Sequence, residues 1–470
     1  MNAMKQIKKL LIFILICIFA SLYTFISLTK HQHYQTGLDF AIYIQMFWDY
    51  MHFRAPFVTL YPTFGDLVWA DHFSPSFVLE TPLYWLWSNQ IMFFIVQSFF
   101  YCFGAYAVFL FTKEKLQHVF FALALAFTYL IFFGTQFPVT FDFHTATYAA
   151  SFLPWVLLTM FRKQWKTYVL LSLIMLGAKE DAALYIAGLS LYLIITRINW
   201  KLGIVMIITS LSFFIFVTKY FMPGLVHFST TSLSLSYFSF TPQYFFSVFF
   251  SSPIKIQTVL LSFINFLFIP IFSGWFLLLP LIHFLINFSN PNFPGRWGIY
   301  LHYRSYLTSI MCFATVLGYM RLMKLKPNWF NVNKTKTIVA CLLIIDALLL
   351  DFTLHQPLNS LLKKQFYYKE SWIADNDRAV AHVPKDAYLL TTNHFAPHVA
   401  ARKNIYYFPQ NLKKAEYILV DLHPNQPIVN FWESTKTQKE LEDSIYGLLK
   451  SKEFVIAYRS GDAMVLKRNR

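Results

Sequence analysis

Eleven apolar runs recur along this chain, near residues 9–29, 91–111, 117–134, 148–161, 167–178, 182–196, 202–221, 256–272, 274–289, 305–320 and 337–352, and they limit its fold more than any other feature. Inside a bilayer no water satisfies backbone polar groups, so such segments cross as helices that close their own hydrogen bonds. With 57% of 470 residues hydrophobic, 20% aromatic and 13% charged, the balance is that of an integral membrane protein. The expected fold is a polytopic α-helical membrane protein of about eleven transmembrane helices. The start, MNAMKQIKKL before about twenty apolar residues, is long for a signal peptide and lacks a small-residue cleavage site, so it reads as an uncleaved first span.

Orientation follows from the Lys and Arg content of short loops. Lys5, Lys8 and Lys9, then Lys113 and Lys115, then Arg162, Lys163 and Lys166, then Arg197 and Lys201, then Arg321 to Lys336 fall in alternate loops and mark the cytoplasmic side. Loops 30–90, 135–147, 222–255 and 290–304 then lie outside with the tail from 354, and so does every histidine except His118, in a loop or the outer part of a span. The expected location is a membrane, with the N-terminus cytoplasmic and the tail outside. The formal charge of +16 is spread over short clusters and the last third, not gathered into the basic tract that nucleic acid requires. Cys17, Cys102, Cys312 and Cys341 lie far apart in apolar runs, as small hydrophobes rather than disulfide or zinc partners.

The chain divides into a membrane part, 1–353, and an extracytoplasmic part, 354–470, where charge rises. In the latter, short β-rich runs at 387–392, 405–408, 416–421, 453–459 and 462–467 alternate with the helix-like SWIADNDRAVAHV and QKELEDSIYGLLKS, which predicts a small α/β domain. A Ser/Thr-rich patch at 229–241 reads as surface loop.

The stretch from Gly37 to His72 is too polar to span and too aromatic for an ordinary solvated loop. Asp39 opens it, ahead of Tyr43, Gln45 and Trp48 on an expected interfacial helix, and reads either as a base for a sugar hydroxyl or as a helix N-cap. Asp71 and His72, with Asp66 upstream, are a second cluster, for which solvated turn chemistry is the rival. Asp142 and His144 stand two apart and face one side if extended; His144 is a phosphate or acceptor ligand, or an interfacial histidine. Lys179, Glu180 and Asp181 separate two short apolar runs, which predicts a helical hairpin whose charged tip stops below the outer surface. In PNFPGRWGIYLHYRSY, Arg296, His302 and Arg304 sit among Trp297, Tyr300 and Tyr303, a pattern for a lipid-linked phosphate or for an ordinary interfacial anchor.

The blocks GLDFAIYIQMFWD, ADHFSPSFVLETPLYWLW, FDFHTATYAASFLPW, GAKEDAALYIAGLSLYL and GRWGIYLHYRSYL, with the tail segment PKDAYLLTTNHFAPHVAARKNIYYFP, resemble a bacterial family of multi-pass membrane proteins of unknown function. That family distantly resembles the GT-C class of integral membrane glycosyltransferases. The resemblance implies an acidic base or metal ligand in the first large external loop, a polyprenyl-phosphate sugar as donor and a cell-surface acceptor. Asp39 matches the acid by position but lacks the paired acids of many GT-C enzymes, so the sequence indicates no metal and leaves a divalent cation open. The resulting expectation is a glycosyltransferase in which Asp39 takes the acceptor proton. Arg296, Arg304 and Lys179 hold the phosphate, while Glu180 or Asp181 shapes the pocket. The alternatives are a transporter or flippase that uses the Lys-Glu-Asp cluster as a relay, and a non-catalytic envelope protein.

Overall fold

The structure, a computed structural model, describes residues 2–60, 67–225, 241–325, 332–426 and 437–469. Asp66 and the Ser/Thr-rich patch up to Ser239 and Phe240 lie outside these residues. In chain order the first ten helices are α1 (Asn2–Gln32), α2 (Leu38–Met51), α3 (Thr81–Leu86), α4 (Ile91–Leu116), α5 (Val119–Ile131), α6 (Phe133–Thr140), α7 (Thr145–Phe161), α8 (Trp165–Leu176), α9 (Ala182–Ile195) and α10 (Trp200–Phe216).

Each of the eleven apolar runs lies largely on helix. Among the described residues five helices are long and apolar enough to cross a membrane: Leu10–Gln32, Ile91–Leu116, Trp200–Gly224, Ile269–Phe288 and His302–Lys324. Two bent pairs, α5 with α6 and Pro242–Phe250 with Pro253–Ile264, raise the count to seven, and α7, α8 and α9 are shorter apolar helices. The helix over the last run, Val332–Thr353, carries Lys334, Lys336, Asp346 and Asp351. One boundary differs from the sequence pattern. Leu267 and Phe268 take φ of 54° and 55°, so the chain breaks there in addition to the kink at Gly274 (φ 67°), where the two apolar runs meet. Pro270 at the start of the next helical turn explains this: it has no N–H to donate back, and its ring disfavours helix before it.

α4 packs against α1, α5 and α7, and the helix Ser305–Lys324 closes on α4, α7 and the Ile269–Leu277 turn. A Cβ at Gly318 would stand 2.2 Å from the Ile269 carbonyl oxygen, so only glycine allows that approach. Buried tyrosines carry their hydroxyls to backbone carbonyls: Tyr23 to Leu130 at 2.5 Å and Tyr129 to Tyr101 at 3.1 Å. An apolar core tolerates such groups only when they are bonded in this way.

The expected interfacial helix after Asp39 is α2, but protein surrounds it. Every residue from Phe40 to Phe47 is buried, because the sequence FAIYIQMF is apolar on all faces. In the tail all five expected strands form: β1 (Leu389–Thr391), β2 (Ile405–Tyr407), β3 (Tyr417–Asp421), β4 (Phe454–Ser460) and β5 (Ala463–Arg468), in sheet order β2-β1-β3-β5-β4. The β1 pairs are parallel and the β5 pairs antiparallel. Alternation splits the sheet's two faces. Leu390, Ile418, Val420, Met464 and Leu466 pack with Leu441 and Ile445 of the helix Gln438–Lys450. Leu389, Leu419 and Val465 join Ile373 and Ala379 of the helix Ser371–Ala381 and run on into the membrane core. The tail is docked on the first loop by Gln45 Nε2, which donates to the Arg402 carbonyl at 3.2 Å, and by Thr59 Oγ1, which donates to the Ile405 carbonyl at 2.5 Å.

Candidate active site

The start of α2 is held by a residue far along the chain. Gly37 offers no side chain to cap the helix, and its N–H donates to Asp142 Oδ2 at 3.1 Å. Asp39, in the first turn, is not the cap and is free for another task. It is enclosed by protein yet keeps an accessible edge. Burial, then the negative charges of Asp142 and Asp71, push its pKa up to about 7, against the pull of His72 and Lys179.

His144 stands before α7 and caps it: its Nδ1 accepts the Ala146 N–H at 3.0 Å. Burial, followed by the charges of His302 and Lys179, pushes its pKa down, so the ring is neutral. With Nδ1 accepting, the proton of this neutral ring is on Nε2, which makes that edge a donor. Its face stacks on His302, with ring centroids 3.6 Å apart at 18°. Asp142 and His144, expected on one side of an extended segment, turn to different partners.

The hairpin between α8 and α9 brings its charged tip to the same place. Lys179 Nζ lies 3.3 Å from the His72 ring nitrogens and 3.9 Å from Glu180 Oε1, and it donates to Thr145 Oγ1 at 3.5 Å. His72 Nδ1 pairs with Glu180 Oε1 at 3.1 Å, and the Phe73 N–H donates to Glu180 Oε2 at 3.2 Å. Burial opposes ionisation of Glu180, but Lys179 and His72 outweigh it and draw its pKa to about 2. Burial likewise opposes the His72 cation, and the charges of Asp71 and Glu180 raise its pKa nonetheless. Asp181, raised chiefly by burial, accepts from the Tyr306 hydroxyl at 3.3 Å.

The two expected phosphate-binding arginines part company. Arg304 is fully buried and its guanidinium is committed within the fold: Nε donates to the Gly298 carbonyl at 3.1 Å, Nη2 to the Arg296 carbonyl, and Nη1 faces His283 Nε2 at 3.1 Å. It builds the loop and does not face a ligand. Arg296 is also buried, against the Tyr303 ring at 4.9 Å, but its Nε and Nη1 have no partner among the described residues.

Residues 30–457 match the family described as predicted membrane protein (DUF2079). The chain belongs to this family. No curated protein matches it. Among solved structures, this DUF2079 chain is similar to ArnT from Cupriavidus metallidurans in the apo state, at 10% identity and a TM-score of 0.52 over 99% of this chain and 98% of that one. The architecture of this DUF2079 member is therefore GT-C-like.

One grouping in the DUF2079 chain escaped the sequence reading. A carboxylate oxygen of Asp39 and one ring nitrogen each of His144 and His302 all lie within 4.8 Å of one another. Two histidines and a carboxylate are a donor set for Zn²⁺, Mn²⁺ or Fe²⁺. The fit is incomplete: Nδ1 of His144 is engaged by Ala146, so a cation on Nε2 would have to displace its proton. Tyr43, whose hydroxyl donates to Thr145 Oγ1 at 3.3 Å and whose ring lies 6.0 Å from that of His144, stands beside the cluster, as its place after Asp39 on α2 allows. Nothing in the sequence marks Tyr306, bonded to Asp181, since an aromatic in an apolar run reads as core.

Proposed function

We propose that this protein transfers a sugar from a polyprenyl-phosphate donor to an acceptor hydroxyl on the outer side of the bacterial plasma membrane, with inversion. The observation that carries the reading is the Arg296 guanidinium, buried with two polar atoms unpartnered among the described residues. A buried guanidinium with unpartnered donors and no ion pair among the described residues, the Asp181 charge acting on it only from a distance, is costly, and a phosphate forked onto it removes that cost. Beside the same loop an apolar cavity of about 410 Å³, lined by Ile254, Leu261, Ile299 and Leu301, suits a lipid chain.

In this mechanism the Asp39 carboxylate takes the acceptor proton as the acceptor oxygen attacks the anomeric carbon. The bond from that carbon to the phosphate oxygen breaks, and the lipid phosphate leaves with the electron pair. Arg296, Lys179 and the His144 Nε2–H stabilise the charge that gathers on it. A base whose pKa is near 7 suits this task at neutral pH. We assign residues 1–353 to the catalytic membrane part and 354–470 to a tail on the outer side. Lys179 and Glu180 are paired with each other and with His72, which favours a fixed electrostatic frame over the relay that a transporter would need.

The test is transfer from a labelled polyprenyl-phosphate sugar by membranes holding the wild type, Asp39→Asn or Arg296→Gln. Loss of product in both variants at normal protein levels is expected. Unchanged product would refute the reading.

A further inference from the structure

The seam between α2 and the tail holds two adjoining features that the transfer chemistry does not use. One is a cavity of about 630 Å³ walled by Trp48, His52, Tyr84 and Trp85 on the loop side, with Lys385, His398 and Arg402 on the tail side. The other, about 530 Å³, places Arg54 and Asp49 opposite Lys403 and Asn404. We propose that this seam is a binding cleft for an anionic saccharide, the acceptor of the transfer proposed above, and the acceptor role rests on that reading.

Three observations carry it. First, the walls present indole rings. Trp85 is half exposed although it donates from Nε1 to the Met51 carbonyl at 3.2 Å, and the Trp48 and His52 rings lie 4.4 Å apart. A pyranose has an apolar C–H face edged by hydroxyls, which packs on an aromatic ring while its rim bonds to polar groups. Second, the charge is one-sided: Arg54, Lys385, Arg402 and Lys403 line the two cavities against Asp49 alone. Arg402 donates to the Val399 and Pro384 carbonyls, at 2.7 and 3.0 Å, and makes no ion pair among the described residues, the Asp386 charge acting on it from farther off. Third, Nε2 of His398, which lines the larger cavity, is buried without a partner. Buried polar atoms in native proteins are normally bonded, so the ring beside the cavity keeps one polar atom unspent.

Trp48 follows Asp39 by nine residues on α2, about 13 Å along the axis at ~1.5 Å per residue and half a turn round the helix, so the cleft and the Asp39 carboxylate are separated by the length of a few sugar units.

The experiment is calorimetric titration of full-length protein in nanodiscs, carried in the Asp39→Asn background so that binding is read without turnover. Tetragalacturonate, maltotetraose and tetraglutamate are the probes. Saturable binding of tetragalacturonate is expected, weakened at least tenfold by Trp85→Ala and by Lys385→Gln, with the other two probes weaker by a similar factor. Equal binding of tetraglutamate would reduce the site to charge alone, and equal binding of maltotetraose would remove the anionic requirement. Either result, no binding of tetragalacturonate, or indifference to both substitutions overturns the proposal. If binding holds but Asp39→Asn leaves the cellular product unchanged, the cleft stands and its acceptor role falls.

Discussion

Asp142 accepts the Gly37 N–H at 3.1 Å, and this bond relieves Asp39 of holding the start of α2. The carboxylate that holds the start of α2 comes from the loop before α7, some hundred residues away, so the acid within α2 is spared. Asp142 also adds, after burial, to the rise of the Asp39 pKa to about 7. Asp142→Asn keeps an oxygen for Gly37 and removes the charge. The Asp39 pKa then falls, and because a base works only when ionised, the acid limb of kcat/KM against pH moves to lower pH. Asp142→Ala should in addition lower Tm by the loss of a cap, about 1 kcal/mol.

Periodicity and charge reported much of this architecture in advance. The short β-rich runs AYLLTT, EYILVD and DAMVLK sit in the sheet as expected, and GAKEDAA forms the hairpin tip. The chain break at Leu267 was hidden because the apolar run continues through it, and only backbone geometry before Pro270 stops the helix. Arg296 and Arg304 are indistinguishable by spacing; which one spends its donors on carbonyls depends on how a loop folds over His283. The face-to-face approach of His144 and His302 joins residues from two distant loops, and no local pattern encodes such a meeting.

Removing the base should strengthen the fold. The folded pKa of Asp39, about 7 against an ordinary 3.8, means that the native protein keeps a proton which the unfolded chain releases. Stability from this group is full below about pH 4 and declines as pH rises toward 7. Asp39→Asn abolishes that decline. Its Tm advantage over the parent is expected to be small near pH 4, to widen with pH and to level off above about pH 7, as light-scattering melts at several pH values will show.

The two arginines predict opposite phenotypes. Arg296→Gln removes a buried charge that makes no ion pair among the described residues and feels Asp181 only from a distance, so Tm should hold while kcat/KM falls by about 10²–10³, the usual loss for one transition-state donor. Arg304→Gln leaves the Arg296 and Gly298 carbonyls and His283 short of a partner, at about 1–3 kcal/mol for each unsatisfied buried group. Low yield and a lowered Tm are expected there. Melting curves beside transfer rates separate the two.

Glu180 neutralises both Lys179 and His72, so its loss should be severe and its partner's loss partly compensating. Glu180→Gln removes the carboxylate nearest to both buried cations, leaving Asp71 for His72 and Asp181 for Lys179, and should cost about 3 kcal/mol. Lys179→Gln in the same chain removes one of those cations. A double-mutant cycle on Tm is therefore expected to show a favourable coupling of about 1–3 kcal/mol between the two sites. Strict additivity would mean that the pair does not interact.

Zinc should inhibit. Asp39, His144 and His302 stand close enough to share a cation, and such a cation would occupy the carboxylate proposed above as the base. The Ala146 N–H on His144 Nδ1, at 3.0 Å, keeps the Nε2 proton in place and weighs against resident metal. Transfer by the purified protein is thus expected to be unaffected by EDTA, lowered by added Zn²⁺ and restored by chelation, with His302→Gln blunting the inhibition. A rate that collapses in EDTA and returns with Mn²⁺ or Zn²⁺ would show the opposite: that the three residues hold a working metal and that His144 gives up its cap to do so.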